Sequence, residues 1–120
     1  MKWIFLIGNS KFGLENLRRV KYSGSTSTYY VDDKGKRLCV EFEGGHLIYD
    51  IMTDFSDFAE VLDAVPYSNP TIIMVSYTSS EILKRIICQN DFPQDIFVDN
   101  DRGILVPLKE YIECGMPMEG

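Results

Sequence analysis

Leu38-Cys39-Val40-Glu41-Phe42-Glu43-Gly44-Gly45-His46-Leu47-Ile48-Tyr49-Asp50-Ile51 is the stretch that decides the fold. Apolar and polar residues alternate on both sides of a glycine pair, the pattern of two half-buried strands joined by a tight turn. A two-residue turn at Gly44-Gly45 pairs Phe42 with Leu47, Val40 with Tyr49 and Leu38 with Ile51, so all six face one core. The opposite face then carries Glu43 beside His46 and Cys39 beside Asp50.

Upstream, Asp33-Lys34-Gly35 is a second turn signal, and it adds a strand beginning near Thr26. Residues 26–52 therefore read as a three-stranded antiparallel meander. Before it, Trp3-Ile4-Phe5-Leu6-Ile7 is a continuous apolar run, expected to be a central strand buried on both faces. Gly8-Asn9-Ser10 ends that run, and Leu14, Leu17 and Val20 recur at helical spacing, with Arg18, Arg19 and Lys21 in the last turn, where cations suit the helix dipole.

Downstream, Phe55, Phe58, Leu62 and Val65 form one stripe of a second helix, capped by Thr53 or Asp54 and closed by Pro66. Asp54, Asp57, Glu60 and Asp63 follow each other every three residues on its other side, an acidic ridge facing solvent. Ile72-Ile73-Met74-Val75 reads as a second buried strand near the first. Thr78-x-x-Glu81 has capping-box spacing, and Ile82, Leu83, Ile86 and Ile87 give a third helix its apolar face. Ile96-Phe97-Val98 and Ile104-Leu105-Val106 flank the turn Asp99 to Gly103, and Pro107 opens a final helix carrying Leu108, Tyr111 and Ile112. Residues 115–120 are expected to fray. The fold class this implies is α/β with α+β character: a mixed sheet containing the meander, with about four flanking helices, in a single domain over residues 1–120.

Composition bounds the function. Hydrophobic residues at 45% and charged residues at 25% are ordinary for a globular chain. The run Trp3 to Ile7 is too short for a signal-peptide core or a membrane span, and Cys39, Cys88 and Cys114 are odd in number and unpatterned. The expectation is a cytoplasmic protein with reduced thiols, no membrane association and no zinc site. Net charge is -6, from 12 basic and 18 acidic residues, which disfavours nucleic acid as a partner. Residues 1–37 hold eight basic and three acidic side chains, so residues 38–120 hold four and fifteen. An acidic surface of this kind attracts a basic protein.

No catalytic motif emerges. Gly8-Asn9-Ser10-Lys11-Phe12-Gly13 has the glycine spacing of a P-loop, but Leu14-Glu15 stands where Lys-Ser/Thr is needed. A tight strand-to-helix turn accounts for it. His46 is the single histidine, which precludes a His-pair metal site, and a structural pairing with Glu43 explains it. Asp99-Asn100-Asp101-Arg102-Gly103 offers some oxygen ligands of a calcium loop, but its third acidic position and the distal glutamate are wrong, so it reads as a turn. No catalytic residue, metal or cofactor is assigned.

Two functions remain. The favoured one is a small binding module whose acidic ridge, Asp54, Asp57, Glu60 and Asp63, engages a basic protein partner, as immunity proteins do with nuclease-type toxin domains. The alternative is a small enzyme or ligand-binding regulator. If the two buried strands run parallel, the Gly8-Asn9-Ser10 and Thr78-Ser79-Ser80 loops open together at their carboxyl ends and could hold an anionic group.

Overall fold

In the computed structural model, which describes residues 2–31 and 36–119, the elements follow the order read from the sequence. They are β1 (Lys2–Gly8), α1 (Leu14–Arg18), β2 (Ser25–Tyr30), β3 (Arg37–Phe42), β4 (Gly45–Ile51), α2 (Ala59–Ala64), β5 (Thr71–Tyr77), α3 (Ser80–Ile87), β6 (Phe97–Asp99), β7 (Leu105–Pro107) and α4 (Leu108–Glu113). The expected turn at Asp33-Lys34-Gly35 lies outside the described residues.

The strands form one sheet in the order β2-β3-β4-β5-β1-β6-β7, and every pairing is antiparallel. The fold is thus α+β, a seven-stranded antiparallel sheet with four short helices, and the expected mixed sheet is corrected. The anion-binding alternative required β1 and β5 to run parallel, but what their apolar runs report is burial on both faces, whatever the strand direction. Here Ile4 and Leu6 of β1 and Ile73 and Val75 of β5 face one core, packed under side chains of α1, α3 and α4. Phe5, Ile7 and Ile72 face a second, smaller core formed with Val65 and partly buried residues such as Phe58 and Leu62. Trp3 departs from the expected burial, being 45% exposed.

The meander is present, and the expected buried face is correct. Leu38, Val40, Phe42, Leu47 and Tyr49 are buried and Ile51 is half-buried. The pairing is shifted by two residues: Phe42 opposes Gly45, Val40 opposes Leu47 and Leu38 opposes Tyr49. The turn is therefore Glu43-Gly44, and Gly45 is a strand residue. A slip of two preserves side-chain parity, which is why the face survived the error in register. The opposite-face neighbours change accordingly: His46 lies across from Glu41 and Asp50 from Arg37, with an Arg37 Nε to Asp50 Oδ1 ion pair of 2.5 Å.

Two other expectations are corrected. The second helix begins at Ala59, so Asp54 does not cap it; the Asp54 carboxylate instead accepts the Ser56 N–H at 2.9 Å. Phe55 and Phe58 pack edge-to-face just before the helix, and Phe58 packs the same way on Phe5, with ring centroids 5.1 Å apart. Apolar spacing alone cannot separate such a packed turn from a helical one. The chain end, expected to fray, packs against the body through residue 119. The Tyr77 hydroxyl donates to the Glu119 carbonyl at 2.8 Å, while Asn100 Nδ2 and the Tyr111 hydroxyl donate to the Pro117 carbonyl at 3.0 and 2.9 Å. Met116 and Met118 pack against the main core.

Candidate functional site

The four carboxylates of the acidic ridge are all exposed, but only Glu60 and Asp63 lie on α2. Because Asp54 and Asp57 sit in the turn before it, the ridge is not one helical stripe. Asp57 and Glu60 instead border a cleft of about 770 Å3 between α2 and the β6–β7 hairpin, whose far wall includes Asp99 and Asp101. Ser56, Ala59, Val61, Ala64, Gly103, Ile104 and Leu105 complete the lining, so four of its residues are carboxylic acids and none is cationic. Asp54 and Asp63 are not part of it.

The hairpin side of this cleft is rigidly built. Asn100 is buried, and its Oδ1 accepts the N–H groups of Arg102 and Ile104 at 2.9 and 3.1 Å. Asp99 Oδ1 accepts the Asp101 N–H at 2.8 Å. These side-chain oxygens close the turn on its own backbone, as Asx turns do, which is the physical reason for the Asp-Asn-Asp sequence. No cluster of three or more His, Cys, Asp or Glu among the described residues could hold a metal ion. Burial pushes the Asp99 carboxyl above its ordinary range; the Asp101 N–H counters this and the Asp101 charge adds to it. At Asp54 the hydrogen bond from the Ser56 backbone holds the carboxyl below its ordinary range.

Trp3 stands at the edge of the same region. Its indole Nε1–H donates to Asp101 Oδ2 at 3.2 Å, and a second, smaller recess beside it is lined by Asn100, Asp101, Arg102 and Glu119. Arg102 there is ion-paired with Glu119. An exposed indole next to clustered carboxylates offers apolar area and a π-face to a cationic side chain.

The loops of the alternative reading are not brought together. In the antiparallel β1–β5 ladder Gly8 opposes Thr71 and Lys2 opposes Tyr77. Gly8-Asn9-Ser10 and Thr78-Ser79-Ser80 therefore lie at opposite ends of a seven-residue ladder, about 20 Å apart. Each has a local explanation. The Phe12 side chain packs where a Cβ on Gly8 would stand, and Asn9 Oδ1 accepts the Lys11 N–H at 2.9 Å. Ser10 is exposed. Ser79, not Thr78, caps α3 by accepting the Ile82 N–H, while Thr78 Oγ1 accepts the His46 N–H at 2.9 Å and Ser80 is buried.

His46 Nε2 is buried without a hydrogen-bond partner among the described residues, and its ladder neighbour is Glu41 rather than the expected Glu43. Cys39 is buried, and that burial raises its thiol above the ordinary value. Cys88 and Cys114 are free and exposed, and the Cys88 thiol lies 3.7 Å from the Met116 sulfur. No helix among the described residues is long and apolar enough to cross a membrane.

Comparison with protein-family models, curated proteins and solved structures gave no match. The site thus rests on its own geometry. Asp57 and Glu60 were visible in the sequence as members of an acidic series. Trp3, Asp99 and Asp101 were not, because Trp3 looked like the start of a buried strand and the two aspartates like turn formers.

Proposed function

We propose that this protein is a small binding module whose acidic cleft engages a basic protein partner. The observation that carries the reading is the convergence of Asp57, Glu60, Asp99 and Asp101 on one concave surface with no lining cation, beside the exposed Trp3. Carboxylates held in a concavity concentrate their field and steer a cationic partner into it, while an adjacent aromatic ring supplies contact area once it arrives. The net charge of -6 works in the same direction.

A nuclease-type toxin domain is the partner class that fits best. Such domains bind polyanions through basic surfaces, and a protein that presents carboxylates to the same surface competes with the phosphate backbone. This protein would then act by occlusion, as an immunity protein does, in the cytoplasm where such a toxin acts. The anion-binding alternative loses its basis, since its two loops lie far apart.

The test is binding of purified cationic nuclease domains, with neutral domains of similar size as controls, to the parent protein and to an Asp57→Asn/Glu60→Gln/Asp101→Asn variant. The reading expects at least one cationic domain to bind the parent, with an association rate that falls steeply with salt and falls again in the variant. Binding of equal rate and salt dependence in the variant would remove the cleft from the interface.

A further inference from the structure

The two faces of the sheet are covered unequally. Side chains of α1, α3 and α4, with the chain end, pack over one face, whereas on the other α2 and its flanking residues pack over Phe5, Ile7, Ile72, Met74, Phe97 and Leu105. The ladder registers align Tyr29, Cys39, Ile48, Ser76 and Trp3 in one row across five strands. Their sequence neighbours Leu38, Val40, Leu47, Tyr49, Val75 and Ile4 face the main core, so this row projects from the opposite face. None of the five belongs to the cluster around α2.

The two ends of this row hold the exposed apolar surface of the sheet; between them Ile48 is half-buried, and Cys39 and Ser76 are buried. Among the described residues the exposed large hydrophobic side chains are Trp3 at 45%, Tyr29 at 43% and Val31 at 53%. The Val31 N–H donates to the Arg37 carbonyl at 3.1 Å, which continues the β2–β3 ladder and puts Val31 on the same face as Tyr29. The row spans five strands. Trp3 and Tyr29 stand at its ends, four strand spacings or about 19 Å apart, and between them lie the smaller Cys39, Ile48 and Ser76. A helix with its side chains is about 10–12 Å across, narrower than that spacing.

The charge at the margins selects the occupant. The Tyr29 hydroxyl donates to Glu41 Oε1 and the Trp3 indole to Asp101 Oδ2, each at 3.2 Å, so each aromatic ring is tethered beside a carboxylate. The next row carries the Arg37–Asp50 ion pair, which balances itself. Two exposed aromatic rings, each beside a carboxylate and with half-buried Ile48 between them, complement an amphipathic helix with an apolar stripe and lysine or arginine on its flanks. A second copy of this chain would bring the same acidic margins against each other, a like-charge contact.

We propose that the sheet surface between Tyr29 and Trp3 seats one basic amphipathic helix of the partner protein. This rests on the reading of a basic protein partner and adds the form in which that partner binds. Lysines on the helix flank nearest Trp3 reach Asp101 and so join the seat to the acidic cleft. Those on the other flank reach Glu41.

The probe is a synthetic 18-residue helix with a leucine stripe and lysine flanks, compared with a scrambled peptide of the same composition and a glutamate-flanked version. Trp3 is the single tryptophan, so its emission reports on the seat directly. The lysine-flanked helix should shift Trp3 emission to the blue and move the backbone amides of Tyr29, Cys39, Ile48 and Ser76 in 15N spectra. The other two peptides should bind about ten-fold more weakly or worse, and Tyr29→Ser and Ile48→Glu should each weaken the lysine-flanked helix by about ten-fold. Tyr29 is exposed, so its variant keeps the test open if Ile48→Glu does not fold. Amide changes confined to Asp57 and Glu60, with the row unmoved, would overturn the seat while leaving the cleft reading standing. Equal binding of the scrambled peptide would overturn it, as would a dimer of the parent protein that Tyr29→Ser dissociates. Seat binding that persists in full while cationic domains ignore the Asp57→Asn/Glu60→Gln/Asp101→Asn changes would instead defeat the cleft reading.

Discussion

Thr78 fills the space that a side chain at position 45 would need. Its hydroxyl lies where a Cβ on Gly45 would project, and it accepts the adjacent His46 N–H at 2.9 Å. Gly45 is thus a strand residue against which the start of the β5–α3 connection closes, and this contact accompanies the observed register of the hairpin. Gly45→Ala should lose about 1–3 kcal/mol of stability through overpacking. Thr78→Ala should lose about 1 kcal/mol through the missing hydrogen bond. The two changes combined should be less harmful than their sum, because the second removes the atom that the first collides with. Urea unfolding of the three variants measures the coupling.

The chain end is a structural strap. Cleavage of the chain after Gly115 would remove the carbonyls that accept from Asn100, Tyr77 and Tyr111, whose residues are all buried. Each donor left unsatisfied costs on the order of 1–3 kcal/mol, so the truncated protein should be markedly less stable or unfolded at room temperature. Thermal melting of the 1–115 protein provides the check, and an unchanged midpoint would show that water replaces the strap.

Asp99 gives the cleft a pH signature. Burial raises its folded-state value above that of the unfolded chain, so the folded state holds the proton more tightly. The resulting stabilisation is fully present below the unfolded carboxyl value and is lost as pH rises through the folded one. Asp99→Asn remains neutral and can still accept the Asp101 N–H through its amide oxygen. The variant should therefore be more stable than the parent at neutral pH, and the difference should shrink as pH falls below the carboxylate range. Urea midpoints for both proteins between pH 3 and pH 8 would reveal it; a constant gap would mean that ionisation of Asp99 does not cause it.

Phosphate should not act on the two hydroxyl-bearing loops as one site. Since Gly8 and Tyr77 end opposite sides of the β1–β5 ladder, an NMR titration with inorganic phosphate should give no joint saturation of the Ser10 and Ser79–Ser80 amides. A common binding curve at both loops would require a geometry different from the antiparallel pairing.

Much of the fold could be read locally. Apolar periodicity and turn residues located each strand and helix, because those signals depend on near neighbours in the chain. Relations between distant segments were less visible. The direction of β1 against β5 leaves no trace in runs that are apolar on both faces, and the exchange of Gly44-Gly45 for Glu43-Gly44 as the turn involves Thr78, more than thirty residues away. For the cleft, Asp57 and Glu60 showed as part of an acidic periodicity. Their partners Asp99 and Asp101 come from a turn whose polar residues already had a local explanation, and only the packing of α2 beside the β6–β7 hairpin joins them. Trp3 was hidden for a related reason: an apolar residue at a strand end carries the same pattern whether covered or open.

The central claim is that cationic protein groups are drawn to the cleft bounded by Asp57, Glu60, Asp99 and Asp101, with Trp3 at its edge. The most direct measurement is a 15N titration of the parent protein and of the Asp57→Asn/Glu60→Gln/Asp101→Asn variant with hexa-arginine at low and high salt. In the parent, shifts should concentrate on those four carboxylate residues and on Trp3, weaken with salt, and largely vanish in the variant. Shifts spread evenly over the protein's other acidic residues, such as Glu81, Glu110 and Glu113, and unchanged in the variant, would contradict it.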